Sequence, residues 1–379
     1  MGQQATQNGG KWGRYKFQIL RCTTLAAFNL NRGVTVRFIA PGPPILTIVL
    51  TLAFLSAPAS AQRPFSEELQ TWLLNQGYGD ALRVQQVNVF GDGNPANGTE
   101  DNRIDMSSPE WNSNGRWPWN MGAGTIHCDG KMRGSAMIVD TREFAAAGTG
   151  LILATSAHVL YDLHRQRRFG ACQFHYMALD HLPGYRANID FKRSRMGDFD
   201  PSSVSNSPLF GKGDWAFLYV SGPIPGISDT GNVRLRSFHS TLNATNGPVR
   251  YQFIAYSPAT DSIVISTQCE VRESASGDLG GGSWRGQLLD NCDSEGGASG
   301  GGLVATAAGN HYLVGIRSGA HWDSESFPQR QFPNGPPDGA RWDVNKNTNF
   351  SRAIDGELID ALRSLLMENN GVARIDPIL

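Results

Sequence analysis

The chain has 379 residues and is close to neutral, with 33 Lys and Arg against 34 Asp and Glu. Its charges are unevenly placed: Lys11, Arg14, Lys16, Arg21, Arg32 and Arg37 all precede the first acidic residue, Glu67. Beyond Ala61 the balance is 27 basic to 34 acidic residues, a formal charge of −7, which argues against the basic face that a nucleic-acid partner requires.

In chain order, the basic flank leads into an apolar run of 12 residues, Ile45 to Ser56, and then into Ala57-Pro58-Ala59-Ser60-Ala61-Gln62. Basic flank, short apolar core and a small-x-small end describe a secretory signal peptide over residues 1–61, cleaved after Ala61. The apolar run is too short to span a bilayer comfortably, so no stable membrane insertion is expected after cleavage, and the product is secreted or periplasmic. The basic flank is long for such a peptide, which suggests an over-extended start with Val34 or Val36 as the initiator. Residues 62–121 read as an entry segment or a removable propeptide. Within them Leu69, Trp72 and Leu73 fall on one face of a predicted helix, Phe65 to Gln76, with Ser66 as its cap. Gly91 to Gly115 is predicted loop, and Asp92, Asn94 and Asn97 fail the calcium-loop pattern at Ala96, leaving plain turn chemistry.

From Gly122 the pattern changes to short apolar runs separated by Gly, Asn, Asp and Ser. Ala136 to Val139, Leu151 to Leu153, Trp215 to Leu218, Gln252 to Ala255, Ser262 to Ile265, Gly302 to Ala305 and Tyr312 to Ile316 read as strands. Many short strands without alternating helices predict an all-β fold of antiparallel barrels. Pro183 to Gly213, with Arg186, Lys192, Arg193 and Arg195, is predicted to be an expanded surface loop whose charges form a solvated face. Ala320 to Asn349 is read as loop. Ile354, Leu358, Leu362, Leu365 and Leu366 predict a terminal helix over Phe350 to Asn369. No repeat and no second domain are evident, and no CxxC or clustered His/Cys spacing points to a metal.

The chemistry concentrates in Cys292-Asp293-Ser294-Glu295-Gly296-Gly297-Ala298-Ser299-Gly300-Gly301-Gly302-Leu303. Glycines on both sides of Ser299 let the backbone turn sharply and bring main-chain N–H groups towards a substrate carbonyl. A serine hydroxyl needs a base and an orienting acid. The strand-like run Gly150 to Ala157 ends on His158, and Asp214 opens another apolar strand, so the order is His158, Asp214, Ser299 with gaps of 56 and 85 residues. The nucleophile elbow of α/β-hydrolases is a distant alternative for GxSxG, but its acid and histidine follow the serine.

The three segments, TSAH, DWAFL and GASGG, resemble those of the chymotrypsin-like serine peptidases, over about Gly122 to Gly319. Thr99-Glu100-Asp101-Asn102-Arg103 and Trp117-Pro118-Trp119 are similar to the entry segment of the bacterial secreted branch that includes glutamyl-endopeptidase-like enzymes. The resemblance implies two six-stranded antiparallel barrels over residues 122–379, with a C-terminal helix packed on the second. It implies a secreted, cofactor-free, monomeric serine endopeptidase acting on protein or peptide substrates. His158 would be the base, Asp214 its orienting acid and Ser299 the nucleophile, with the N–H groups of Gly297 and Ser299 as oxyanion hole.

Cys22 leaves with the signal peptide, and the remaining four cysteines allow three connectivities. The pairing expected is Cys128 with Cys172 and Cys269 with Cys292, each closing a loop local to one lobe. The expected substrate-binding residues are Asp293, Ser294, Arg317 and Ser318. Asp293 sits where trypsin-like enzymes place a carboxylate for basic side chains. Arg317 sits where glutamyl-specific relatives carry a pocket histidine, and could bind an acidic side chain or pair with Asp293. Glu295 replaces a family cysteine and Ala298 the usual aspartate, so something else must hold the oxyanion loop. If nothing does, the chain is a silent, protease-like binding protein.

Overall fold

The computed structural model describes residues 89–91, 101–106, 122–142, 144, 150–163, 165–176, 184–201, 212–221, 233–243, 248–275, 278, 284–323, 325–327 and 336–370. The expected signal peptide, the Phe65 to Gln76 helix and the Asp92 to Asn97 turn lie outside them. The first strands are β1 (Phe90–Gly91), β2 (Arg103–Asp105), β3 (Ala123–Cys128), β4 (Lys131–Asp140), β5 (Gly150–Thr155), β6 (Tyr161–Asp162), β7 (Arg167–Arg168), β8 (Cys172–Tyr176), β9 (Tyr185–Met196) and β10 (Ala216–Ser221). After them come β11 (Val233–Leu235), β12 (Arg250–Ser257), β13 (Ser262–Cys269), β14 (Val271–Glu273), β15 (Gln287–Asp290), β16 (Gly302–Ala307), β17 (Asn310–Trp322), β18 (Ala340–Arg341) and β19 (Asn347–Ala353). Two α-helices, α1 (Phe238–Asn243) and α2 (Gly356–Asn370), and a 3-10 turn, Ala157–Leu160, complete the described elements.

Six strands close the first barrel. β4 pairs with β3, β3 with β8, β8 with β9, β9 with β10, β10 with β5 and β5 with β4, all antiparallel. The β3–β4 hairpin turns on Asp129-Gly130, both at positive φ (51° and 75°), the two-residue turn that matches strand twist. In the second barrel β13, β12, β16, β17, β19, β15 and β14 pair in succession. Only Glu270 separates β13 from β14, so these act as one bent strand and the barrel again has six sides. β11 runs parallel to both β4 and β17 and bridges the two barrels.

The core follows from period-two alternation with both faces buried. In β10, Ala216, Leu218 and Val220 fill the first barrel, while Phe217 and Tyr219 point into a cluster between the barrels. That is why the strand is apolar from Ala216 to Val220, and burying a side chain such as Phe217, Leu218 or Val220 stabilises the fold by about 1.5–3 kcal/mol. Phe253, Leu288, Leu303 and Val314 fill the second barrel.

Several expectations change. The segment read as an expanded loop contains the strand β9 over Tyr185–Met196: Tyr185-Arg186-Ala187-Asn188-Ile189-Asp190 alternates, with Ala187 and Ile189 buried. Its basic residues are also more than a solvated face. Arg193 lies over the Tyr219 ring at 3.6 Å and donates from Nε to Asn369 Oδ1 at 2.6 Å, and Arg195 pairs with Glu368. Helix α2 begins at Gly356 and not at Phe350, because Asn347–Ala353 is taken up by β19, and Asp355 caps it by accepting the Leu358 N–H at 3.2 Å. Its Leu358, Leu362, Leu365 and Leu366 join the inter-barrel cluster beside Met137, Phe217 and Ile316, so it packs on both barrels, with its end held by the first. The segment read as loop from Ala320 also yields strand at its ends, with β17 reaching Trp322 and β19 starting at Asn347. Antiparallel closure excludes the α/β-hydrolase alternative. No described helix is long and apolar enough to cross a membrane.

Candidate active site

His158 sits in a 3-10 turn, Ala157–Leu160, directly after β5. Ala157, Val159 and Leu160 are buried, which anchors the turn and fixes the histidine between them. Asp214, wholly buried at the start of the β10 run, grips this turn twice. Its Oδ1 accepts the His158 backbone N–H at 2.8 Å, and its Oδ2 lies 2.7 Å from His158 Nδ1. The carboxylate therefore favours the tautomer with hydrogen on Nδ1 and leaves Nε2 as the basic nitrogen. Gly213 permits this placement, because a Cβ there would lie 2.2 Å from the Asp198 carbonyl oxygen.

Ser299 is buried in the turn before β16, and the backbone around it is packed against the histidine segment. A Cβ on Gly300, at φ +80°, would meet Thr155 Oγ1 at 2.1 Å and the Ser135 carbonyl at 2.3 Å. Ser156 Oγ donates to the Arg317 carbonyl, which also accepts the Gly300 N–H at 2.9 Å. Residues two and three before His158 thus lie against the residue after Ser299, which joins the serine turn to the histidine segment. Gly297, at φ +97°, occupies a conformation that favours glycine.

Ser135 on β4 holds both ends of this turn. Its Oγ donates to the Gly297 carbonyl at 2.8 Å and accepts the Tyr256 N–H at 2.8 Å, while its N–H donates to the Ser299 carbonyl at 2.7 Å. Nothing in a lone mid-strand serine signals this role in the sequence.

The expected specificity residues lie near the turn, but their charges have partners. Asp293 is buried and accepts backbone N–H groups from Phe90 (2.8 Å) and Asn102 (2.9 Å). Burial pushes its carboxyl up to about 6, against those two hydrogen bonds. Arg317 pairs with Asp290 and not with Asp293: Nη1 and Nη2 reach the two carboxylate oxygens at 2.9 and 2.7 Å, both side chains are wholly buried, and the guanidinium stacks 4.3 Å from the Phe253 ring centroid. Ser294 accepts from Asn349 Nδ2 at 3.1 Å, and Asn349 also donates to the Cys292 carbonyl. Ser318 is buried, and the His321 ring lies edge-on to Trp284 at 5.8 Å. Asp290 and Asn349 were not among the residues singled out from sequence.

Both expected disulfides are present, Cys128 with Cys172 and Cys269 with Cys292. The second roots the loop that carries Ser299. Among the described residues no group of three or more His, Cys, Asp or Glu side chains could hold a metal ion.

No protein-family model matches the chain, and no curated protein does. Among solved structures it is similar to the protease Anisep from Arthrobacter nicotinovorans, with 14% identity, a TM-score of 0.42, and coverage of 66% of this chain and 97% of that one. It is also similar to a Glu endopeptidase in complex with MPD, with 12% identity, a TM-score of 0.43, and coverage of 70% and 97%.

Proposed function

We propose that the protein is an exported serine endopeptidase. The observation that carries the reading is the double grip of Asp214 on His158, beside a glycine-flanked Ser299 on the adjoining turn. In this mechanism His158 Nε2 takes the Ser299 proton as Oγ attacks the peptide carbonyl, then gives it to the leaving amine. Asp214 holds the ring and stabilises its charged form. The N–H groups of Gly297 and Ser299 receive the oxyanion, and water then hydrolyses the acyl-enzyme.

The experiment is labelling of the signal-free protein with a fluorophosphonate. Labelling is expected, with loss in Ser299→Ala, and Asp214→Asn should lower kcat on the order of 10⁴-fold, because the amide can donate to Nδ1 and favour the wrong tautomer. A folded protein that takes no label would instead be a silent, protease-like binding module.

Neither an Arg/Lys nor a Glu/Asp preference is favoured. Asp293 is engaged by Phe90 and Asn102 and Arg317 by Asp290, so neither charge is left for a substrate side chain. A peptide library should show neutral side chains before the cut; enrichment of either charge would reject this assignment. Export predicts that the mature chain starts at Gln62, which N-terminal sequencing reads directly.

A further inference from the structure

The loop carrying Ser299 is bound to a distant upstream segment by charged side chains that the acyl-transfer steps do not use. Asp293 takes one backbone N–H on each carboxylate oxygen, from residues 203 and 191 positions earlier. Arg103 spans the same junction: Nε and Nη2 bind Asp101 at 2.8 and 2.6 Å, and Nη1 lies 3.0 Å from Glu295. Ser266 Oγ bridges the two sides, donating to Asn102 Oδ1 and accepting the Asp293 N–H. Glu295 also accepts from Ser257 Oγ, and its main-chain carbonyl accepts the Ala298 N–H at 3.0 Å. Arg103, Asp293 and Glu295 are largely buried, and β2 is fastened to β13 beside them. The contacts therefore reach the residue next to the nucleophile through one turn of backbone.

We propose that Arg103 is a positioning residue: through Glu295, and with Asp293, it holds the 293–299 loop in its acyl-transfer shape, and residues 89–106 are a permanent part of the active molecule. Ala298 offers no carboxylate beside the nucleophile, and the Glu295–Arg103 pair supplies the ionic anchor from inside the chain. This rests on the serine-peptidase reading. Removal of the upstream segment then inactivates the protein instead of activating it. Asp101, Asp293, Glu295 and Asp338 all act on the Arg103 guanidinium, so deleting its charge leaves carboxylates facing one another at the base of the loop. A displacement of the oxyanion donors on the 1 Å scale lowers turnover about 100-fold.

The test uses the full exported protein and the variants Arg103→Met, Arg103→Lys and Glu295→Gln, with Arg363→Met on the exposed face of α2 as control. Fluorophosphonate end-point labelling counts folded sites, and peptide turnover is expressed per labelled site. Arg103→Met is expected to lose about 100-fold in kcat per site and to label more slowly, and Arg103→Lys to recover most of that loss. A merely destabilising change would lower the number of sites and leave kcat per site unchanged. Glu295→Gln keeps an acceptor for Ser257 and removes only the charge; it should also lose turnover per site, and it decides the matter if Arg103→Met does not fold. The labelled wild type, weighed under native conditions, should retain residues 89–106. Unchanged turnover per site in both Arg103→Met and Glu295→Gln, or a labelled wild type lacking that segment, overturns the proposal. An unlabelled wild type sinks the peptidase reading itself, and this inference with it.

Discussion

Ser135 shows how much of the site depends on a residue that does no chemistry. Its hydroxyl bonds the Gly297 carbonyl and the Tyr256 N–H together, so Ser135→Ala removes both hydrogen bonds. Each lost hydrogen bond costs about 0.5–1.5 kcal/mol, and the change should lower both the unfolding free energy in urea and kcat, because the Gly297 peptide loses a contact that orients it. Asp290 is a second such residue: it neutralises Arg317 and also accepts the Cys292 N–H at 3.0 Å. Asp290→Asn leaves a guanidinium buried without its counter-charge and should destabilise the fold by about 3–5 kcal/mol, measured by denaturant titration. The meeting of His158 with Asp214 was legible from sequence because the one ends and the other opens an apolar run. Ser135, Asp290 and Asn349 were not, because a polar residue within a strand carries no mark of which distant backbone it will satisfy.

The strands were legible where both faces are apolar, as in β10, and obscured where charge interrupts the alternation, as in β9. There, Arg193 and Arg195 are directed to the end of α2, a partner more than 170 residues away that no local pattern reveals. The β3–β8 pair offers a measurable consequence of a similar surface arrangement. His127 stacks on His175 with ring centroids 3.7 Å apart. Burial, then His175 and Arg186, lower the His127 pKa from 6.5 to about 4, and burial and Arg186 also lower that of His175. As pH falls through 6.5 the unfolded chain takes up the proton and the folded chain does not. The stability that neutral His127 contributes is therefore complete above pH 6.5 and is progressively lost towards pH 4, below which the loss is constant. His127→Gln should flatten the decline of Tm over that interval; an unchanged slope would show that the stacked pair titrates normally.

At the scale of the whole molecule, the two disulfides divide stability from activity. Cys128 and Cys172 face each other across the β3–β8 ladder and close a separation of 44 residues inside the first barrel. Cys269 and Cys292 close a separation of 23 residues at the root of the serine loop. Loop-closure entropy assigns the first about 4 kcal/mol and the second about 3.4 kcal/mol, nearly equal contributions to unfolding free energy. Their effects on turnover should differ. Cys292 adjoins Asp293, which binds the upstream segment, and its carbonyl accepts from Asn349, which also orders Ser294. Freeing Cys292 therefore releases one end of the loop whose other end is Ser299, whereas freeing Cys128 loosens a ladder that β4 and β8 still hold. Replacing each pair by serines and comparing denaturant midpoints with kcat per labelled site gives the contrast: similar losses of stability, with turnover per site falling only when Cys269 and Cys292 are removed. Equal turnover per site in the two double variants would mean that the loop is held by Ser135, Asp293 and Glu295 alone.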